Sequence, residues 1–186
     1  MTLTKNLNLE AHSWLPIVGF NGTFDGQGNT ISGVIIESTD GSQGLFGTIG
    51  TSATIKNLVI ANSSITGGNN TGAVVGNAEG NIENCHVLGD VTIAGTSFSN
   101  HGGIAGYCGG NINDCTSAAI MTATDEDGVS QSGGIVGTST GSVSKCLYYG
   151  TRLHKDMNHQ PRLLAGSNGG EMNYIPRYDD DLNHLA

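Results

Sequence analysis

Residues 137–141 read Gly-Thr-Ser-Thr-Gly, which fits the G-x-S-x-G pattern around the nucleophilic serine of many hydrolases. Such a serine sits on a turn that leads from a strand into a helix, and no helical pattern follows Gly141. Two similar stretches earlier in the chain, residues 77–80 and 107–110, read as plain turns. We therefore predict that Ser139 lies at a corner of the fold and is not a nucleophile.

Three of the four cysteines, Cys85, Cys115 and Cys146, are separated by 30 and 31 residues. This spacing resembles no zinc-binding pattern. Buried free cysteine behaves as a small apolar residue, and parallel strands in register rarely give the geometry that a disulfide needs. We predict that these three are reduced thiols in the core, and that Cys108, which falls on a turn, is the exposed one.

Acidic runs and histidines are the other candidates for metal binding. Residues 125–128, Asp-Glu-Asp-Gly, resemble a fragment of a calcium loop but lack the carboxylate that should follow downstream, so a solvated loop is favoured. The same holds for the three aspartates at 179–181. His154 and His159 lie in an irregular stretch, and His86 directly follows a core cysteine, so all three are predicted surface residues. We predict no metal site, no cofactor and no catalytic residue.

These residues are positioned by a sequence motif that recurs about every 30 residues along the chain. It joins a glycine-flanked apolar pair, a short polar turn and a strand of alternating polarity, and it occupies residues 44–58, 72–85, 102–115 and 133–146. The closing glycines at 47, 76, 106 and 137 are 29, 30 and 31 residues apart. Self-similarity at such a period is the signature of a solenoid.

Stacking the copies about 4.8 Å apart pairs their backbones and aligns equivalent side chains in columns. The first column is predicted to hold the apolar residues Ile31, Ile55, Ile82, Ile112 and Val143. The second holds Val34, Leu58, Cys85, Cys115 and Cys146, and the third holds Phe46, Val74, Ile104 and Ile135. A corner row, facing outward, holds Gly33, Asn57, Asn84, Asp114 and Lys145, because asparagine and glycine tolerate the left-handed conformation of a corner.

Composition agrees with an ordered all-β chain. Charged residues are 12%, glycines number 30, and Ile, Val and Thr fill the stretches between the glycines. The net charge of −9 argues against a nucleic-acid surface or a basic membrane patch. No apolar run approaches the length of a membrane span, and no apolar leader follows Met1, so we expect no membrane insertion and no signal peptide in these residues.

The chain resembles the GLUG motif repeats of bacterial cell-surface proteins. The residues that carry the resemblance are Leu3–Leu9, Trp14–Ile17, Phe20–Ile31 and the pair of segments Gly44–Gly47 and Ile55–Leu58. Asn6 and Asn8 stand where the family usually has aspartates. The match covers residues 3–149. It implies a right-handed parallel β-helix in a secreted or surface-anchored protein, often an adhesin or the non-catalytic part of a larger one, and it carries over no functional residues.

We therefore predict a right-handed parallel β-solenoid of about five coils over residues 1–149, followed by a cap or tail at 150–186 where the repeat stops. The predicted function is a non-enzymatic adhesion or scaffold module at the cell surface. The alternative is a polysaccharide lyase or hydrolase, which needs clustered carboxylates. The carboxylates that can be placed on the coils, Glu79, Glu83, Asp90 and Asp114, do not recur at one column, and no arginine precedes Arg152.

Expected partners are a host or environmental glycan or protein, or other parts of a longer surface protein. We expect the first residues to begin within a coil. An uncovered strand edge invites pairing with another chain, so edge-to-edge self-association is a further hypothesis. No nucleic-acid partner is expected.

Overall fold

The computed structural model describes residues 1–10, 12–95, 100–123, 131–150, 152–153, 165–169 and 172–174. Every helix-or-strand element in these ranges is a β-strand, so they contain no helix that could cross a membrane. Strand β1 covers Leu7–Asn8. The first full turn comprises β2 (Thr23–Asp25), β3 (Thr30–Ser32), β4 (Ile35–Glu37), β5 (Ser42–Gln43) and β6 (Phe46–Ile49). The second comprises β7 (Thr54–Ala61), β8 (Ser63–Gly67), β9 (Asn70–Gly72) and β10 (Val75–Ala78).

The later turns repeat this order. The third turn comprises β11 (Asn81–Val87), β12 (Val91–Gly95), β13 (Asn100–Gly102) and β14 (Ala105–Cys108). The fourth comprises β15 (Asn111–Asn113), β16 (Thr116–Ser117), β17 (Ile120–Ala123), β18 (Gln131–Gly133) and β19 (Val136–Ser139). The remaining described strands are β20 (Ser142–Tyr148), β21 (Arg152–Leu153), β22 (Ala165–Asn168) and β23 (Met172–Tyr174).

Each strand pairs in parallel with its counterpart one turn away, and the pairs form four sheets. Sheet A holds β1, β2, β3, β7, β11, β15, β16, β20 and β23. Sheet B runs β4, β8, β12, β17, β21; sheet C runs β6, β10, β14, β19, β22; and sheet D runs β5, β9, β13, β18. The predicted all-β parallel solenoid is confirmed. About four turns contribute to all four sheets in the described ranges, so the coil count is about four where five were predicted.

The described part of residues 150–186 adds strands to the same stack. Strand β21 pairs with β17, β22 with β19 and β23 with β20. Some of this segment therefore continues the sheets, and its role as a cap remains a prediction.

Most of the predicted columns are present. Ile55, Ile82, Ile112 and Val143 pair in register, and each has 0% of its surface exposed. The second column holds Leu58, Cys85, Cys115 and Cys146, all buried. The third holds Val74, Ile104 and Ile135, which follow from the pairing of the next residues along. These columns form the apolar interior.

Ile31 was wrongly assigned to the first column. Phe24 pairs with Ile55, and Ile31 pairs instead with Ile60. The reason is that β2 and β3 both pair with the single long strand β7, so the position opposite Ile55 is occupied by Phe24. Ile31 lies opposite the second half of β7, five residues beyond Ile55. Four residues, 26–29, separate β2 from β3 and lie beside only two residues of β7, so the corner is also wider in this turn.

The same shift of five residues makes two further assignments wrong. Val34 lies beside Ser63, whose hydroxyl accepts a hydrogen bond from the Val34 N–H at 3.0 Å. Gly33 lies beside Asn62 and donates its N–H to the Asn62 carbonyl at 2.9 Å. Val34 is therefore not in the second column, and Gly33 is not in the corner row that contains Asn57.

Phe46 is displaced by one position. It pairs with Val75, so Leu45 is the residue that precedes Val74 in the third column. At this corner both residues of each apolar pair are buried. The sequence therefore lacks the alternation of apolar and polar residues that would show which residue of the pair belongs to the third column. The Phe46 ring packs against Phe20 and Phe24, with ring centroids 5.2 and 5.4 Å apart.

Residues 1–20 form a partial turn over the first full one. Strand β1 pairs with β3, and isolated parallel bridges join Thr2, Ser13, Ile17 and Phe20 to the first turn. Five partly buried apolar side chains of this N-terminal turn pack on the core: Leu3, Leu9, Trp14, Ile17 and Phe20. Within residues 3–9, the strand covers Leu7–Asn8.

Candidate functional site

The corner row on the outside of sheet A is the most regular polar feature of the molecule. Its residues Asn57, Asn84, Asp114 and Lys145 have φ angles of 54, 48, 53 and 51°. All four therefore adopt the left-handed conformation, as predicted for an outward corner. Asparagine and aspartate occupy such positions at low cost because their short side chains hydrogen-bond locally.

Side chains in this row bond to one another along the stack. The Asn84 amide donates to Asn57 Oδ1 at 2.8 Å, and the Asn57 amide donates to Asp25 Oδ1 at 3.0 Å. The Asn57 bond, followed by the Gln27 N–H, lowers the pKa of the exposed Asp25 carboxyl. Further along, Lys145 Nζ lies 3.8 Å from Asp114 Oδ2.

Asn84 is expected to be the most sensitive member of the row, because its backbone and side chain both depend on asparagine. Asn84→Ala should reduce the free energy of unfolding by about 1–2 kcal/mol, through left-handed strain and lost hydrogen bonds. Asn84→Gly should lose less, since glycine removes only the side-chain part. Asn81→Ala, on the same strand but with ordinary φ, is the matched control for urea denaturation. Equal losses for the alanine and glycine variants of Asn84 would contradict the strain argument.

Similar ladders run along strands of sheets A and D. Asn111 donates to Asn81 at 3.0 Å, and Asn100 donates to Asn70 at 2.7 Å. His86 lies between two partners, with Nδ1 2.9 Å from Thr116 Oγ1 and Nε2 3.1 Å from Asn84 Oδ1. The outward position predicted for His86 is confirmed. Its ring nitrogens are engaged by the ladder, so its role here is structural.

Ser139 ends β19 at a corner, as predicted, but it is fully buried. Its hydroxyl lies 3.4 Å from the Cys108 carbonyl and 3.3 Å from the Gly141 carbonyl, to which it donates. A hydroxyl that donates to backbone inside the stack has no exposed surface toward a substrate. The geometry matches a corner residue.

The cysteines are all buried free thiols. Cys85, Cys115 and Cys146 follow one another up the second column, and each thiol donates to the carbonyl two residues before it, at 3.4, 3.3 and 3.2 Å. The prediction that Cys108 is exposed was wrong. Cys108 is the last residue of β14 and stacks between Ala78 and Ser139 with 0% exposure. The turn begins only after it.

Two of these thiols, Cys108 and Cys146, are weak acids in the fold. Burial raises the pKa of Cys108 from 9.0 to about 12. Contact with Cys115, followed by burial, raises the pKa of Cys146 well above its ordinary value. The folded chain therefore holds Cys108 and Cys146 protonated at pH values where the unfolded chain has released those protons.

We expect stability to decline in alkali for this reason. The stabilising contribution is complete below pH 9, where both states are protonated, and is lost as pH rises from about 9 toward 12. Each such thiol should remove about 1.4 kcal/mol of unfolding free energy per pH unit in that window. Urea titrations from pH 8 to 11 would measure the slope, and Cys108→Ala should be less steep. A slope that Cys108→Ala leaves unchanged would contradict the assignment.

The carboxylates considered for catalysis are dispersed. Glu83 pairs along the stack with Lys56 and Asn113, whereas Asp114 belongs to the corner row. Glu79 and Asp90 lie in turns outside the strands. Residues 125–127 and 179–181, with His154 and His159, lie outside the described residues.

One row of polar residues inside the stack was not predicted from the sequence. Gln43, Thr71, His101 and Ser132 pair in register along sheet D, and the first three are buried. A side chain placed on Gly67 would meet Thr71, and one on Gly95 would meet His101. The two glycines, at equivalent positions of sheet B, are the sequence feature that could have indicated this row, because they leave space for its side chains.

Comparison with known proteins places these features in context. Residues 67–92, from the end of β8 into β12, match the family described as the GLUG motif. The chain is 44% identical over 73 residues to halomucin of Haloquadratum walsbyi. This alignment covers 39% of the chain and spans 1% of the length of halomucin. No solved structure matches. The predicted resemblance to GLUG repeats is confirmed, and both matches fit a surface protein with a β-solenoid.

Proposed function

We propose that this GLUG-motif chain is a non-enzymatic module of an extracellular or cell-surface protein, serving adhesion or scaffolding. The observation that carries the proposal is the continuous parallel stack, in which four columns or rows keep register across successive turns. The likeness to halomucin supports the surface location.

The stack suits a stiff spacer for physical reasons. Successive turns are joined by parallel backbone hydrogen bonds in all four sheets. The interior is filled by fully buried aliphatic side chains. Bending would break pairs on one side and compress the close-packed interior on the other. The outer amide ladders add side-chain bonds between the same turns. Loops and turns on this frame are held at fixed spacing.

A glycoside hydrolase would require an acid and a second carboxylate on either side of one glycosidic bond. In the described part of the chain, Glu83 and Asp114 instead lie at different register positions along the stack, and Asp114 is within ion-pair distance of Lys145. This arrangement favours the module over the enzyme.

Two measurements on the natural full-length product test the proposal. Antibody labelling and protease treatment of intact cells should detect the protein outside the membrane. Incubation of the purified protein with a polysaccharide panel should release no new reducing ends or unsaturated products. Exclusive recovery from the cell interior would overturn the surface assignment, and turnover of any polysaccharide would establish the enzyme alternative.

A further inference from the structure

A cleft of about 470 Å³ lies on the N-terminal turn and is lined by Asn8, Leu9, His12, Ser13 and Trp14. Its volume falls in the range of sites that accept small molecules. The backbone at Leu9 and at Trp14, on the two sides of the cleft, is hydrogen-bonded to the first full turn. Leu9 N–H donates to the Ser32 carbonyl, and Trp14 N–H donates to the Ile35 carbonyl, each at 2.8 Å. The cleft is therefore part of the folded stack.

Trp14 is held in a fixed orientation in this cleft. Its indole N–H donates to the Leu45 carbonyl at 2.9 Å, and the half-buried ring packs on the core. An aromatic ring that is already immobilised loses little conformational entropy when a ligand covers it. With Leu9 it supplies an apolar wall.

Polar groups supply the rest of the lining. Asn8 Oδ1 accepts the Glu10 N–H at 2.9 Å, an arrangement that commits the oxygen and leaves the amide N–H groups as donors. His12 and Ser13 are exposed and add groups that can donate or accept. None of the described side chains lining the cleft is an Asp, Glu, Lys or Arg. The described lining therefore offers no carboxylate, ammonium or guanidinium group to a strongly charged ligand.

We propose that this cleft is a binding site for a neutral saccharide, a mono- or disaccharide unit of a larger glycan. A pyranose ring has an apolar C–H face that matches Trp14 and Leu9, and hydroxyls around its rim that match Asn8, His12 and Ser13. An acyl chain would leave those polar groups unmatched, and an anionic ligand would also meet a chain of net charge −9. The assignment deepens the proposed surface role, on which its biological meaning rests.

Trp14 is the single tryptophan of the chain, so its fluorescence reports on the cleft directly. Lactose, cellobiose and N,N′-diacetylchitobiose would be titrated into the purified chain, with glucuronate as the anionic comparison. We expect a saturable change for at least one neutral disaccharide, with half-saturation on the order of 1 mM, and none for glucuronate. This readout does not depend on cellular location, so its failure is distinct from failure of the proposed function.

The double variant His12→Ala/Ser13→Ala tests the polar lining without removing the packed tryptophan. It should raise the half-saturation concentration at least tenfold while melting and the sugar-free emission stay unchanged. Thr4→Ala, at an exposed position of the same turn outside the cleft, should titrate like the parent. Absence of saturation with all three disaccharides would overturn the proposal, as would titration unaffected by the double variant. A fluorescence change that follows protein concentration and not sugar would overturn it in favour of self-association.

Discussion

Replacement of Ile112 by aspartate is expected to lower the free energy of unfolding by about 5 kcal/mol, a large part of the about 5–15 kcal/mol that stabilises a typical domain. Ile112 is fully buried and lies between Ile82 and Val143 in the first column. The variant loses the apolar contacts of the isoleucine. It also places a carboxylate where both neighbours along the stack are aliphatic, so the charge has no partner.

Asn111→Asp is the matched control, because it introduces the same side chain on the adjacent, outward-facing position of β15. Asn111 is exposed and gives up one amide bond to Asn81, so the expected loss is below about 1 kcal/mol. Urea denaturation followed by circular dichroism would compare the two. Similar midpoints for both variants would refute the inward assignment of Ile112.

Gly106→Val is expected to cost at least about 3 kcal/mol, because the glycine faces backbone of the preceding turn. A Cβ atom at Gly106 would lie 2.3 Å from the Thr71 nitrogen and 2.6 Å from the Asn70 carbonyl carbon. Backbone atoms held in a parallel ladder cannot move aside as a flexible side chain can. The turns would have to separate at this point, and the pairing of β9 with β13 would be disrupted.

Gly22→Val provides the control for this prediction. Its nearest neighbour is the Phe20 ring at 3.7 Å, an ordinary contact, and its φ is not in the left-handed range. Thermal melting should place Gly22→Val near the parent and Gly106→Val far below it. A Gly106→Val protein that melts within a few degrees of the parent would mean that the turns are not this closely apposed.

Two other closing glycines of the repeat have the same explanation. A Cβ at Gly76 would lie 2.6 Å from the Gln43 nitrogen, and one at Gly137 would lie 2.5 Å from the His101 nitrogen. Gly76, Gly106 and Gly137 are therefore positions where two stretches of backbone leave no room for a side chain. This is why the period could be found without a structure.

The columns were predictable where the recurring segment is present in successive turns, as for Ile82, Ile112 and Val143, which are 30 and 31 residues apart. The prediction failed in the first turn, because β2 and β3 both pair with β7 and the sequence does not show which of them lies opposite Ile55. The sequence there contains Gly26 and Gly28, which indicate a turn but do not specify its length. Cys108 was misplaced for a related reason, since a residue at the boundary of a strand and a turn can face either way.

The candidate site was less accessible to sequence reasoning than the fold. The corner row could be predicted because its asparagines recur with the period. The cleft could not, since Asn8 and Trp14 come from a partial turn that has no repeat copy. Nothing in the pattern of residue types indicates that these two residues line the same cleft.

The stacking register itself is tested most directly by methyl–methyl contacts in solution. With isoleucine δ1 methyl groups labelled, nuclear Overhauser spectra should connect Ile55 with Ile82, Ile82 with Ile112, and Ile31 with Ile60, since in-register neighbours on adjacent turns are about 5 Å apart. Contacts between Ile31 and Ile55, or no contacts between isoleucines about 30 residues apart, would contradict the solenoid described above.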